Sequence, residues 1–198
     1  MNSELLGGLA LFAFASSITP GPNNLMLLAS GANFGLRRTL PHLAGVALGF
    51  VFLLLMVGTG LLQLFQALPG SQWLLKVAAV GYLSYLALRI ATAAPATPEV
   101  AASGRPFSFW QAVAFQWVNP KAWTMALTAV AVYAPSQSLW AVAGVAGVFG
   151  LINLPCVSAW TLLGQRLRGL LADPRRMRLF NRVLALLLLA SLIPVLRS

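Results

Sequence analysis

Lys121 is the residue in this sequence that is hardest to place. It follows Asn119 and Pro120 inside an apolar run from about Trp110 to Tyr133, roughly a dozen residues from either end. A lysine at the centre of a membrane-crossing helix costs about 2.5–3.5 kcal/mol on insertion scales, and here the side chain is too far from either end to snorkel to water. The sequence therefore predicts that Lys121 faces a polar cavity or a partner. Pro120 supports this, because proline removes a backbone donor and clashes with the carbonyl four residues back. A helix opened at that point exposes polar backbone beside an ammonium.

A second constellation, Thr19-Pro20-Gly21-Pro22-Asn23-Asn24, lies in another apolar run. Two prolines around a glycine should open a helix for about a turn, where a simple kink needs only one. The freed carbonyls need partners, and the amides of Asn23 and Asn24 can donate to them. The chemistry these residues suit is capture of a small polar ligand. Half-helix N-termini offer free N–H groups and a positive dipole end to an anion, and Lys121 adds a cation. Asn23, Asn24 and Asn119 would hold an amino group or the exposed backbone. The candidate binding residues are thus Pro20, Gly21, Pro22, Asn23, Asn24, Asn119, Pro120 and Lys121.

The elements that carry these residues are membrane helices. The chain is 59% hydrophobic and 8% charged, against about 25% charged in an ordinary soluble domain. The apolar runs are continuous, whereas barrel strands alternate, so helices are expected. Six spans are predicted, at about 5–29, 43–65, 73–92, 110–133, 139–163 and 179–196, the first and fourth broken. Glu4, and the lack of Lys or Arg before the first apolar run, mark Leu5 onward as a retained span although Ala13-Phe14-Ala15 resembles a cleavage site.

The net charge of +10 comes from 13 Lys/Arg against Glu4, Glu99 and Asp173. The basic residues sit beside apolar spans, where they orient a membrane protein, so nucleic acid is not a partner. Arg37 and Arg38 follow span 1, Arg89 and Arg105 flank the connector after span 3, and Arg166, Arg168, Arg175, Arg176 and Arg178 follow span 5. This bias places those connectors in the cytoplasm and both termini outside. Trp73, Tyr133 and Trp140 would mark the outer interface, and Trp110 and Trp160 the inner one.

An internal repeat is visible. Thr19-Pro20 and Asn119-Pro120 are 100 residues apart, and Ala44-Gly45-Val46-Ala47 recurs 99 residues on as Ala143-Gly144-Val145-Ala146. One transmembrane domain is expected, with a first repeat over about 1–93, a connector over about 94–107 and a second repeat over about 108–198. Three spans per half make the second half inverted, and matched broken helices in inverted halves point to a transport site. Gly45, Gly49, Gly144 and Gly147 are expected at close helix contacts.

Other chemistries lack their residues. Cys156 is the only cysteine, so a thiol relay is excluded, and it is read as a small buried apolar residue. No carboxylate, histidine pair or Ser/His set lies within the spans, so no catalytic or metal site and no cofactor is expected. His42 reads as an interfacial residue, with Lys121 or His42 left as candidate proton carriers. A structural or regulatory membrane subunit is the alternative to a transporter.

At these residues the chain resembles the LysE/RhtB family of bacterial amino-acid exporters. The resemblance covers the whole length and rests on Pro20-Gly21-Pro22, Gly35-Leu36-Arg37-Arg38, Gly45, Gly49 and Asn119-Pro120-Lys121-Ala122. The segments 19–24, 43–50 and 183–188 are most similar to the cysteine/O-acetylserine exporter branch. The resemblance implies efflux of small amino acids or derivatives across the cytoplasmic membrane, driven by the proton gradient. Many members carry an acid directly after the second glycine of span 2. Here that residue is Phe50, so a role built on that acid does not carry over. The sequence does not choose the amino acid or the coupling ion, and a homo-oligomer stays open.

Overall fold

The computed structural model describes residues 3–61, 70–93, 105–134 and 138–197. Among them the structure is helical, with no strand. Helix α1 (Ser3–Ile18) ends where Pro20 forces the residue before it out of the helical region. Helix α2 (Pro22–Phe34) restarts with proline at its first position, where the missing N–H costs nothing, and is bent 53° from α1. Gly35, at φ 77, is the whole connection to α3 (Leu36–Met56). A π-helical turn (Val57–Leu61) continues α3, with Gly60 at φ 96.

Helix α4 spans Ser71–Ala91. Helix α5 (Phe109–Gln116) opens with a capping box between Ser108 and Gln111. Helix α6 (Pro120–Tyr133) is capped by Asn119 and α7 (Leu139–Leu167) by Ser138. Asp173 caps α8 (Pro174–Ala190), accepting from the N–H groups of Arg175 and Arg176. A short α9 (Ile193–Arg197) follows.

Helix α7 is the central post, with α1, α2 and α3 packed on it, while α5 and α6 lie on α3 and α4 pairs with α8. Backbone meets backbone between α2 and α7. A Cβ on Gly31 would overlap the Thr161 carbonyl oxygen, and one on Gly164 the Leu28 carbonyl oxygen. The main apolar core fills the space between α1, α3, α6 and α7, with Phe50 and Phe149 at its centre, rings 4.9 Å apart.

Residues Leu36–Gly60, Trp73–Ala91 and Leu139–Leu167 are each long and apolar enough to cross a membrane, and α1 with α2 makes a fourth crossing if the bent pair is one span. Taken singly, α6 with 14 residues and α8 with 17 fall short of the ~20 that a span needs.

Several boundaries differ from the sequence reading. The second span begins at Leu36, not near Leu43, so Arg37 and Arg38 lie in a helix. Gly35 makes this turn alone because its positive φ suits a residue without Cβ. The helix at the last expected span begins at Pro174, not near Leu179, so Arg175, Arg176, Arg178 and Arg182 lie on it, and it ends at Ala190. Trp160 and Tyr133 are half-buried, and their polar tips donate to the carbonyls of Ile18 (3.0 Å) and Gly8 (3.2 Å). Trp73, Trp110 and Trp140 are exposed. Most of the expected connector, residues 94–104 with Glu99, lies outside the described residues.

Candidate functional site

The break between α1 and α2 frees carbonyls that lipid cannot satisfy, and each finds a donor. Thr19 Oγ1 donates to Ser16 O (3.0 Å), and Asn24 Nδ2 to Ser17 O and Thr19 O (2.8 Å each). Trp160 serves Ile18 O. Lys121 Nζ donates to Thr19 O and Thr19 Oγ1 (2.8 Å each) and to Pro20 O (3.3 Å). An ammonium has three N–H groups, so Lys121 is fully engaged with neutral oxygens at the C-terminal, negative end of α1. Gly21 makes room for it. Its backbone is extended, at φ −176, and a Cβ there would sit 2.7 Å from Lys121 Cδ.

A second link joins the two breaks. Asn23 Nδ2 donates to Gln116 Oε1 (2.8 Å), and Gln116 Nε2 donates back to Asn23 Oδ1 (3.2 Å) and to Ala112 O (2.9 Å). Gln116 is completely buried, so this reciprocal amide pair leaves little polar demand unmet on either side.

The two half-helix N-termini are not equivalent. In α6, Asn119 Oδ1 accepts from Lys121 N (3.2 Å), while Asn119 O accepts from Ala122 N and Trp123 N. Pro120 has no N–H, so this end is closed on itself. In α2 the N-cap is Gly21, which has no side chain, and Pro22 again lacks an N–H. Leu25 N donates to Gly21 O, and among the described residues the N–H groups of Asn23 and Asn24 have no acceptor. The end with free N–H groups is therefore that of α2, with the Lys121 side chain across its Gly21 cap.

A cavity opens beside it. It is lined by Ser17, Gly21, Asn23, Asn24, Asn119 and Lys121 on the polar side and by Phe50, Ala122, Met125 and Val157 on the apolar side, with Asn153 reaching in from α7. Ser17 and Asn153 are each 4% exposed, and Ser17 Oγ and Asn153 Oδ1 have no hydrogen-bond partner. The cavity offers ≈20 Å³ to water centres, room for about one water and less than an amino acid needs.

All eight sequence-predicted binding residues thus belong to one pair of facing breaks, though Pro20, Pro22 and Pro120 act through the backbone and do not line the cavity. Sequence reasoning missed Ser17, Gln116, Asn153 and Trp160 as site residues. Asn153 carried a readable signal, an amide two residues before Pro155 in an uncharged run. Gln116 carried a weaker one, one turn before Asn119.

The glycines divide. A Cβ on Gly45 would overlap the Phe109 carbonyl oxygen, and one on Gly49 would come within 2.8 Å of Val113 Cα, so both sit against α5. Gly144 and Gly147 are exposed and would meet nothing within 4 Å. The expectation of close packing fails for them because their face of α7 points away from the bundle, and Gly164 takes that role instead. His42 is not interfacial. It is 1% exposed, its ring lies 5.3 Å from that of Phe107, and neither ring nitrogen has a partner among the described residues.

A family profile described as LysE type translocator matches residues 14–192. The chain is 32% identical over 191 residues to the cysteine/O-acetylserine efflux protein of Escherichia coli O139:H28 (strain E24377A / ETEC), covering 96% of each chain. It is 33% identical over 190 residues to the proteins of the same description from Escherichia coli (strain K12) and Shigella sonnei (strain Ss046), covering 95% of each chain. No solved structure matches.

Proposed function

Because the chain belongs to the LysE type translocator family, we propose that it is a secondary transporter, not an enzyme, and exports small amino acids or their derivatives across the bacterial cytoplasmic membrane. Cysteine and O-acetylserine, named in the relatives it is similar to, are the first substrates to test. The observation that carries the reading is the open N-terminus of α2 beside Lys121, at a break faced by a second break from the other half of the chain. Free N–H groups, a positive helix end and an ammonium suit a substrate carboxylate.

The spans are read as six, in two inverted halves. In support, α3 and α7 start at Leu36 and Leu139, and α4 and α8 at Ser71 and Pro174, the same spacing in both pairs. The packing also exchanges between halves, with α2 on α7, α5 on α3, α3 on α7 and α4 on α8. The basic residues then place both termini outside. The small cavity reads as a contracted state that opens by separation of the two breaks.

Export is coupled in this reading to the proton gradient. Lys121 and His42 are the titratable side chains it would use, since no carboxylate lies beside either among the described residues. The test is efflux from proteoliposomes loaded with L-cysteine, O-acetyl-L-serine, L-serine or L-lysine, with and without a pH gradient. Lys121→Ala should abolish efflux while reaching the membrane at the normal level. Retained efflux in that variant would overturn the site assignment.

A further inference from the structure

The polar groups at the α2 break account for a carboxylate and leave two buried atoms unexplained. Ser17 Oγ, from the last turn of α1, and Asn153 Oδ1, from α7, line the same cavity as Lys121 and have no partner. Buried polar atoms in native folds are nearly always hydrogen-bonded, and exceptions call for a reason. An amide oxygen can only accept, and a hydroxyl oxygen also accepts. Asn153 Oδ1 requires a donor, and a group with more than one N–H would satisfy both atoms, since the Ser17 hydroxyl can accept as well as donate. Lys121 does not serve, because its three donors are directed to Thr19 and Pro20.

We propose that Ser17 Oγ and Asn153 Oδ1 receive the ammonium group of the transported amino acid, as its carboxylate accepts from the free N–H groups of the α2 N-terminus with the positive charge of Lys121 beside it. This rests on the exporter reading above and adds the second pole of the site. Once the two breaks separate and the contracted cavity opens, the zwitterion lies across it with its charges matched at each end. Of the other lining residues, Phe50, Ala122, Met125 and Val157 are apolar, Ser16, Asn23, Asn24 and Asn119 are neutral, and no carboxylate lines the cavity among the described residues. A substrate with a cationic side chain has no counter-charge there, and burying an unpaired charge is strongly unfavourable. The site therefore selects small amino acids with uncharged side chains and requires a free amino group.

The test uses the full-length protein in proteoliposomes loaded with L-cysteine or with 3-mercaptopropionate, which lacks only the amino group. The wild-type protein should export cysteine at least about tenfold faster, the ratio expected for loss of a hydrogen-bonded charge. Asn153→Leu should lower cysteine efflux by about tenfold and leave 3-mercaptopropionate efflux unchanged, erasing the preference, and Ser17→Ala should act in the same direction. Asn153→Asp, which can still accept, should keep the preference.

Equal loss of both substrates in Asn153→Leu would mean that the residue only supports the fold, and would overturn the assignment. An unchanged preference would assign the two atoms to a resident water and overturn it as well. Asn153→Asp behaving like Asn153→Leu would mean that the amide donates to an anion, the opposite polarity. Absence of cysteine efflux from the wild-type protein would overturn the exporter reading itself, and the ammonium assignment with it.

Discussion

Lys121 Nζ lies 2.8 Å from both the carbonyl oxygen and Oγ1 of Thr19, a residue 102 positions away in the chain. The cation thus caps the broken end of α1 rather than pairing with an acid. Under the exporter reading, a substrate carboxylate arriving at α2 would meet an ammonium already held in place by Thr19 and Pro20. That places the strongest charge of the site at the junction of the two breaks, where relative movement of the halves would be felt first.

The Gly21 position should report on that placement. Its extended backbone accepts a side chain without strain, so Gly21→Ala should fold normally. The added Cβ, 2.7 Å from Lys121 Cδ, must push the lysine aside. Efflux should fall in Gly21→Ala and vanish in Gly21→Val, with membrane levels and thermal unfolding in detergent near those of the wild type. Normal efflux in Gly21→Val would show that the lysine need not lie over the α2 cap.

The Asn23–Gln116 pair should couple the two breaks energetically. Interhelical hydrogen bonds in membranes average about 0.6 kcal/mol and reach about 1.7. Asn23→Leu and Gln116→Leu should each destabilise the protein, and the double variant should cost less than the sum by that order. A double-mutant cycle read by denaturant unfolding in detergent measures the coupling, and strict additivity would show that the contact carries none.

Glycines should separate by their neighbours. Gly31→Leu and Gly164→Leu force a side chain onto opposing backbone, so they should cost more than the ~1–3 kcal/mol of ordinary overpacking and abolish the monodisperse protein peak in size exclusion. Gly144→Ala and Gly147→Ala meet nothing within 4 Å and should stay within about 0.5 kcal/mol of the wild type, helix propensity aside. Loss of the folded protein in the latter two would point to a second chain covering that face of α7.

Orientation is open to direct measurement. In a Cys156→Ser background, a single cysteine at Arg38 or Arg175 should be protected from an impermeant thiol reagent added outside intact cells, and one at Ser3 should be labelled. The reverse pattern would invert the proposed topology and put the basic residues on the outer side, against the usual bias.

The sequence by itself determined the solvent and the defects. Long uncharged runs required a bilayer, and Pro20, Pro22 and Pro120 fall at helix breaks, where the missing N–H is tolerated, although Pro41 and Pro155 lie inside α3 and α7. Lys121 had to have a polar neighbour for a local reason, the cost of a charge in apolar surroundings. Which neighbour it took was decided by the tertiary structure. The carbonyls of Thr19 and Pro20, the Asn23–Gln116 pair and the orphaned Ser17 and Asn153 come together only because α1, α2, α5, α6 and α7 converge, and no local spacing encodes that approach. The same holds for the glycines. Gly144 and Gly164 share one helix, yet only Gly164 meets a backbone, since the face that α7 turns toward α2 is fixed by packing and not by residue type.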